Sequence, residues 1–463
     1  MASRQEFLRA MHGARHKAVP FASPECGKVE RGMMTTVEPR AAGAAFRYPN
    51  FRIFMAVRFL LVAGIEMQSV AVGWQIYEIT RRPLDLGLVG LAQFLPGLLF
   101  FWVGGHVADR FDRRVVLLFC YSGFALCSVA LLAITLRGLH LGGAHGVAPV
   151  YAVLVAMGCI RIFNAPAGQA FTPLLVPPEV FPSAAAWGSS IFNAGTILGP
   201  VIGGVLYALR GTPVDVYITA AAALTTSVLL MLAIRIKGVQ QMSRGRDWKT
   251  VLAGFAYVWR NKLILGTTTL DLFAVLLGGA VALLPVFARE ILHAGPRGLG
   301  LLRASPGVGA VLMALVLAYV PLRRRAGVKM LCCVAAFGVA TVVFGLSRNL
   351  YLSMLALFLV GAADMVSVIV RSTLVQLATP DEMRGRVSAV NMLFVGTSNE
   401  FGQFESGVTA QWMGAVPAVV AGGIGTIVVV ALWSWLFPAL RNVDYLTQES
   451  LAIAAQQEMT DIQ

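Results

Sequence analysis

Apolar residues occur along this chain in long runs rather than in short alternating stretches. A membrane helix needs about 20 mostly apolar residues, and twelve runs in the 463 residues are long enough. They exceed the length of a barrel strand and show no strict alternation, which predicts helices. The fifth and eleventh runs are the weakest by hydropathy because glycine and polar residues interrupt them. The predicted spans are 51–77, 85–106, 114–136, 149–170, 184–209, 214–236, 263–288, 298–320, 327–346, 350–377, 387–411 and 415–438.

The composition supports the same prediction. Hydrophobic residues make up 57% of the chain and charged residues only 13%, whereas soluble domains are about 25% charged. We therefore predict an all-α, polytopic protein whose first partner is the lipid bilayer of the cell (inner or plasma) membrane.

Lysine and arginine are concentrated in loops on one side of the predicted spans. Positive charge marks the cytoplasmic side of a membrane protein, so both termini are predicted to be cytoplasmic. Arg81 and Arg82 are the main exception. This bias accounts for the net charge of +14, no basic–aromatic binding module occurs, and no nucleic-acid partner is inferred. The basic segments are the tail before the first span, 110–114, 237–262 and 323–329.

The two halves of the chain resemble each other. When GCIRIFNAPAGQAFTPLLVPPE, from Gly158, is placed over GAADMVSVIVRSTLVQLATPDE, from Gly361, Pro177 meets Pro380 and Glu179 meets Glu382. A repeat of this kind predicts two pseudo-symmetric six-helix bundles. The predicted parts are a disordered tail at 1–48, a bundle at 49–236, a cytoplasmic linker with a short amphipathic helix at 237–262, a bundle at 263–440 and a tail at 441–463.

Glycines interrupt the fifth span in the stretch GTILGPVIGG. Gly195, Gly199 and Gly203 share one helix face, so a neighbouring helix can approach closely, and Pro200 permits a bend. Two similar halves are typical of secondary transporters, whose site lies between the repeats near mid-membrane. A bendable, closely packed fifth helix suits such a protein, although a plain helix-pairing face is the alternative. The predicted packing and hinge residues are Gly195, Gly199, Pro200, Gly203 and Gly204.

Three motifs in the correct order resemble the major facilitator superfamily. GTILGPVIGG resembles the fifth-helix motif associated with exporters and proton antiporters, and GHVADRFDRR resembles the loop motif after the second helix. Arg161, in GCIRIFNAPAG, lies where the fourth-helix motif has its arginine. In the second half, GLGLLRASPGVGA and ATPDEMRGRVSAVNMLF resemble the branch of the enterobactin exporters and transmembrane secretion effectors.

The resemblance implies a conformational latch at the loop motif. In the family, its aspartate and arginines act with the helix that starts near Arg386 to favour the outward-open state. Asp112 stands where the family usually has glycine, and PLRRRAGVK in the second half lacks the aspartate. An ordinary positively charged loop is the alternative. The residues to which the role is carried over are Gly105, Asp109, Arg110, Arg113 and Arg114.

Charged residues inside the spans are the candidates for ion coupling. Such residues are costly in hydrocarbon and usually face a cavity or a partner. Glu66, Arg161, Asp271 and Asp364 lie in the first, fourth, seventh and tenth spans, at corresponding depths of the repeat. A desolvated, incompletely paired carboxylate can load and release a proton near neutral pH. We expect proton coupling at Glu66 first and Asp271 second, with Arg161 as counter-charge and Asp364 in the same layer; a structural ion pair between the first and fourth helices is the alternative.

Other polar residues in the spans are ambiguous between the cavity and helix–helix hydrogen bonds. Arg303 and Arg371 lie toward helix ends and are expected to snorkel, and Glu405 is expected to contact the opposite half. The candidate substrate-cavity residues are Gln93, Asn164, Asn391, Asn399 and Glu400.

Taken together, these features predict a proton-coupled exporter of a small organic molecule, such as a siderophore, drug or metabolite, that works by alternating access. A lipid flippase or uptake permease on the same fold, and a non-transporting sensor or scaffold, stay open. The histidines and cysteines show no metal, catalytic or disulfide spacing, so we expect no enzyme activity, no metal and no cofactor. We expect a monomer.

Overall fold

Helices account for almost all of the chain that the structure describes. The computed structural model describes residues 43–137, 144–234, 248–320 and 325–444, with the backbone alone for 101–110, 144–145, 248–252 and Asp381. The longer helices of this part are α1 (Pro49–Thr80), α2 (Pro83–Arg110), α3 (Arg113–Leu136), α4 (Ala148–Phe171), α5 (Phe181–Arg210), α6 (Val214–Ala233), α7 (Trp248–Arg260), α8 (Lys262–Gly278), α9 (Gly295–Tyr319), α10 (Ala326–Leu346), α11 (Leu350–Ala378), α12 (Asp381–Met413) and α13 (Ala415–Leu436). Short helical turns flank them at Ala44–Arg47, Ala144–Val147, Thr172–Leu174, Pro178–Val180 and Pro438–Arg441.

The predicted spans coincide with α1–α6 and α8–α13. Eleven helical segments in the described chain are long and apolar enough to cross a membrane. The remaining predicted span, the eleventh, is the 33-residue helix α12, which falls short in apolar composition because it carries residues such as Asn391, Asn399 and Glu400. The all-α, polytopic prediction is confirmed, and the chain is a multi-pass membrane protein.

Side-chain caps fix several helix starts. The side chains of Asp112, Asn261 and Asn349 each accept a hydrogen bond from a backbone N–H in the first turn of α3, α8 and α11. These bonds satisfy donors that have no partner within the helix. Helix α5 ends at Gly211, whose φ of 68° is the left-handed conformation that glycine adopts at low cost.

The seventh span is interrupted, which the sequence did not predict. Helix α8 ends at Gly278 and is followed by a 3₁₀ turn, Ala280–Leu283, a short helical segment, Leu284–Val286, and a π-helix, Phe287–Ile291. Pro285 cannot donate a helical hydrogen bond, and the Gly279 carbonyl freed by the break accepts from Ser406 Oγ at 3.0 Å. The break allows the axis of the segment after Gly279 to differ from the axis of α8.

Helices pack mainly within each half of the chain. In the first half α1 packs on α5 and α6, while α4 packs on α2 and α3; in the second half α11 packs on α9 and α10, while α13 packs on α8 and α10. Between the halves, the largest contacts pair α5 with α9 and α2 with α12. Because of these contacts, residues 45–444, as far as they are described, form one compact unit.

The predicted linker helix is present as α7. It packs on the second half, where Tyr257 donates to the Ala378 carbonyl at 3.0 Å and the Phe255 ring lies 6.1 Å from the Phe394 ring. Trp259 on its other face is 75% exposed. The rest of the predicted linker and both predicted tails lie largely outside the described residues.

Candidate transport site

The glycine face of α5 lies directly against α1. A Cβ atom at Gly199 would lie 2.7 Å from Glu66 Cβ and 2.8 Å from the Ala63 carbonyl oxygen, and one at Gly203 would lie 2.9 Å from Met67 Cα. Contacts this short leave no space for a side chain. The glycines therefore bring the α5 backbone against the turn of α1 that carries Glu66.

Glycines also join the two halves near one end of the molecule. We name this the outer end, following the predicted orientation; it carries the α1–α2, α5–α6 and α10–α11 connections. A Cβ atom at Gly204 of α5 would lie 2.6 Å from the Pro296 carbonyl oxygen and 3.0 Å from Gly300 Cα of α9. A Cβ atom at Gly407 of α12 would lie 2.8 Å from Gly87 Cα of α2. Backbones from opposite halves are thus in contact here.

A polar network closes the same end between α1, α5 and the π-helix. Tyr77 donates to Glu290 Oε1 at 2.6 Å, and Arg289 Nη1 lies 3.2 Å from Glu78 Oε1. Tyr207 of α5 donates to the other Glu78 oxygen at 3.0 Å. Both acidic groups therefore have partners across or beside the interface.

Toward the inner end, α2 and α12 diverge. No described atom lies within 4 Å of a Cβ position at Gly97 or Gly396 outside the local helix, and Leu99 and Met392 are each 57% exposed. At these positions the described parts of α2 and α12 are therefore not in close contact, unlike at Gly87 and Gly407, and they lie toward the end predicted to face the cytoplasm.

Two ion pairs cross between the halves at the level where they part. Glu66 of α1 faces Arg303 of α9, with 3.7 Å between Oε2 and Nε, and Arg303 also donates to Ser69 Oγ at 2.7 Å. Arg161 of α4 faces Glu400 of α12 at 3.8 Å. Each half supplies one acid and one base, so the cluster of four is neutral. We call these four residues the interface layer.

Arg161 is the accessible member of the interface layer. Its side chain is 51% exposed, compared with 19% for Glu400, 28% for Glu66 and 25% for Arg303. It also donates a long hydrogen bond of 3.4 Å to Gln93 of α2. A molecule that enters from the inner end would meet its guanidinium group.

A second charged cluster lies within the second half. Asp271 of α8 and Arg371 of α11 form an ion pair and are 6% and 5% exposed. Asp364 and Ser367 of α11 line a small cavity beside Asp271. The single mid-membrane layer expected from the sequence is therefore two separate clusters, and the sequence did not indicate Ser367.

The pairing of the charges differs from the expected one. Arg161 pairs with Glu400, not with Glu66 or Asp271, and the expectation that Arg303 and Arg371 snorkel is wrong. Their guanidinium groups neutralise Glu66 and Asp271 inside the protein because α9 and α11 pack beside the helices that carry those acids. Sequence depth alone does not specify which helices are neighbours.

Comparison with known proteins places this architecture in a family. Residues 40–461 match the family model described as transmembrane secretion effector. The chain belongs to this family of the major facilitator superfamily.

Relatives and solved structures agree with this assignment. The chain is 28% identical over 399 residues to the enterobactin exporter EntS of Citrobacter koseri and 27% identical to that of Escherichia coli K12, covering 85% of this chain and 93% of each relative. Its fold is similar to an inward-facing bacterial homologue of the human lysosomal transporter Spinster (TM-score 0.66, 14% identity, 85% and 98% of the two chains). It is also similar to an inward-facing bacterial homologue of the iron transporter ferroportin (TM-score 0.66, 16% identity, 83% and 98%).

The loop after α2, which resembles the loop motif of the major facilitator superfamily, forms its described contacts within the first half. Arg113 donates to the Ala170 carbonyl at 3.0 Å and Arg114 to the Leu232 carbonyl at 2.9 Å, near the C-terminal ends of α4 and α6. Cations are favourable at helix C-termini. Asp112, the departure from the family pattern, accepts from the Arg114 N–H at 2.8 Å as the cap of α3. The side chains of Asp109 and Arg110, and the surroundings of Gly105, lie outside the described residues.

The other predicted cavity residues have different surroundings. Asn164 is half-buried, one turn after Arg161 on α4. Asn391 is half-buried, and its Oδ1 has no hydrogen-bond partner among the described residues. Asn399 is exposed and donates to the Val395 carbonyl of its own helix at 2.8 Å. Glu405 is half-buried in α12, beyond Glu400 toward the outer end.

Proposed function

We propose that this secretion effector protein is a secondary transporter that exports a small organic molecule by alternating access, coupled to proton entry. The family and the similarity to enterobactin exporters support export. The observation that carries the proposal is the interface layer, where Glu66–Arg303 and Arg161–Glu400 join the halves. We take the end beyond it as the open inner end, because Arg161 is 51% exposed there.

The geometry suggests how a substrate enters. The open inner end leads to Arg161, with Gln93 and Asn164 beside or near it. These groups offer one cation and two amides, which suit a polar organic molecule such as a siderophore, drug or metabolite. A rocking motion that opens the outer contacts would expose the same groups to the outside.

Glu66 can couple proton binding to the movement of the two halves. When it is charged, it pairs with Arg303 across the halves; when it is protonated, the attraction is lost. Gly199 fixes this turn of α1 against α5, so a change in the pair acts on a helix rather than on a flexible side chain. Export coupled to proton entry requires that the loaded carrier moves outward with Glu66 charged and the empty carrier returns with Glu66 protonated.

The test is efflux from proteoliposomes under an imposed pH gradient, with enterobactin as the first probe and a panel of drugs as the second. We expect wild-type efflux to stop on addition of a proton uncoupler. We expect Glu66→Gln to lower driven efflux by about tenfold or more and to remove the uncoupler effect. Glu405→Gln, which changes another in-span acid away from the interface layer, serves as the matched control.

The outcomes separate the candidate functions. A Glu66→Gln variant that exports normally and remains sensitive to the uncoupler would contradict the proton assignment. Accumulation in the opposite direction would identify an uptake permease, and movement of lipid probes a flippase. An absence of transport for all probes would favour a sensor or scaffold.

A further inference from the structure

We propose that the second half of the chain contains a binding site for one monovalent cation, a proton or Na⁺, formed by Asp271, Asp364 and Ser367. The site deepens the proposed ion coupling and rests on that proposal only for its role in transport. Its position inside one half separates it from the interface layer that the substrate would reach.

Helix periodicity brings the polar groups of the site together. Asp364, Ser367 and Arg371 follow one another at intervals of three and four residues and so share one face of α11. Asp271 of α8 faces them through its ion pair with Arg371. Val334 and Phe337 of α10 complete the wall of the small cavity.

With both acids ionised, the cluster of Asp271, Asp364 and Arg371 has a net charge of −1, which one additional positive charge would neutralise. Arg371 neutralises Asp271, whereas Asp364 has no hydrogen bond or ion pair within the described part of the chain. An uncompensated carboxylate at this depth is costly. One proton or one monovalent cation makes the cluster neutral, whereas a divalent ion would leave an excess positive charge.

A hydroxyl group without a partner points to the ligand independently of the acids. Ser367 is 3% exposed and lines the cavity, and within the described residues it makes no hydrogen bond. Buried polar groups normally have partners. Its oxygen can coordinate Na⁺ beside the Asp364 carboxylate, or accept a hydrogen bond from that carboxyl group when it is protonated.

Few charged groups surround Asp364 in the part of the chain that the structure describes. Only Asp271 of α8 and Arg371 of its own helix act on it among the described charged groups. The other neighbouring helices are apolar at this level: α9 approaches α11 through Pro306 and Gly309, and α10 contributes Val334 and Phe337. A pH or Na⁺ response of this cluster is therefore a response of Asp364 and its two charged neighbours.

The experiment measures the unfolding temperature of the purified, detergent-solubilised protein without substrate. A ligand that binds only the native state raises this temperature. NaCl is compared with choline chloride at equal ionic strength, and the choline series is repeated at about pH 6 and about pH 8. An increase with NaCl alone identifies Na⁺, and an increase on acidification in choline identifies a proton; we expect Asp364→Asn to abolish whichever response the wild type shows.

Further variants test whether the change in unfolding temperature comes from this cluster. Ser367→Ala should raise the Na⁺ midpoint by about tenfold, or shift a proton response to lower pH because protonated Asp364 loses its hydrogen-bond acceptor. Glu405→Gln should respond like the wild type. If Asp364→Asn does not purify, Asp364→Glu replaces it, because the longer side chain should shift the midpoint of either response by about tenfold.

Two results would overturn the site: a wild-type protein that responds to neither ion, or an Asp364 variant that responds as the wild type does. Neither result bears on the efflux assay. Failure of this site and failure of the proposed export function are therefore distinguishable.

Discussion

The Tyr77 hydroxyl lies 2.6 Å from Glu290 Oε1 and joins the end of α1 to the π-helix of the second half. Glu66 lies 11 residues earlier on the same continuous helix, which is about three turns and therefore the same face. Helix α1 thus carries both the acid of the interface layer and the hydrogen bond that closes the outer end. If α1 moves as a rigid helix, a displacement caused by a change in the charge of Glu66 also moves Tyr77 and so changes the contacts at the outer end.

We predict that Glu290→Gln opens the outer end more often. The Tyr77 bond loses its charged acceptor, and a hydrogen bond to a charged group contributes about 1.5–3 kcal/mol. Because the Glu290 side chain is 48% exposed, we expect about 1 kcal/mol, or a roughly fivefold larger outward-open population. Distance distributions between spin labels at Arg82 and Tyr351, in a cysteine-replaced background, provide the measurement.

The control for this variant is Asp215→Asn. Asp215 also lies at the outer end, where it pairs with Arg210 at 3.2 Å within the first half. Its loss should leave the label distances unchanged. Equal shifts in both variants would show that the effect comes from net charge and not from the contact between halves.

We predict that alanine substitutions at two neighbouring glycines of α5 have different effects: one lowers stability and the other changes the contact between the halves. Gly203 faces Met67 of the same half, so Gly203→Ala should lower the free energy of unfolding by about 1–3 kcal/mol through overpacking. Gly204 faces Pro296 and Gly300 of the other half, so Gly204→Ala should separate the halves at the outer end. Thermal unfolding and the spin-label distances measure the two effects separately.

Gly168→Ala is the matched control for both, because no described atom lies within 4 Å of its Cβ position beyond the local helix. It should leave stability and label distances almost unchanged. If Gly204→Ala lowered stability as Gly203→Ala does, with no change in the distances, the outer glycines would not act as a contact between moving parts.

The sequence predicted the helices well because their signals are local. Runs of apolar residues locate the spans, and the structure adds the caps Asn261 and Asn349 at two of their starts. The break after Gly278 was missed because its glycines and Pro285 lie in a run that is still apolar overall. Hydropathy does not distinguish a continuous helix from an interrupted one.

The site was predicted less completely because ion pairing depends on tertiary neighbours. The sequence identified Glu66, Arg161, Asp271 and Glu400 as costly in-span charges, but not which guanidinium faces which acid. The spacing of Asp364, Ser367 and Arg371 was a usable signal, since it places three polar groups on one helix face. Arg303 gave no such signal, because its partners lie on another helix.

We predict that the charge pairs of the interface layer are energetically specific. In a double-mutant cycle on the free energy of unfolding, Glu66→Gln and Arg303→Gln should be strongly non-additive, with a coupling of about 1 kcal/mol or more. Glu66→Gln combined with Arg161→Gln should be closer to additive, since Arg161 pairs with Glu400. The reverse pattern would restore the pairing first expected from the sequence.

We predict that Asp112 contributes to stability as a helix cap. Its side chain accepts from the Arg114 N–H at 2.8 Å, and loss of such a cap costs about 1 kcal/mol for alanine but only a few tenths for glycine or a capping residue. Asp112→Ala should therefore lower the unfolding temperature, whereas Asp112→Gly and Asp112→Asn should lower it little. Asp112→Asn keeps the cap and removes the charge, so it separates capping from an electrostatic role in the predicted latch. An Asp112→Ala variant as stable as the wild type would contradict the capping role, whereas a shift of the spin-label distances in Asp112→Asn would show that the charge of Asp112 acts on the conformational equilibrium.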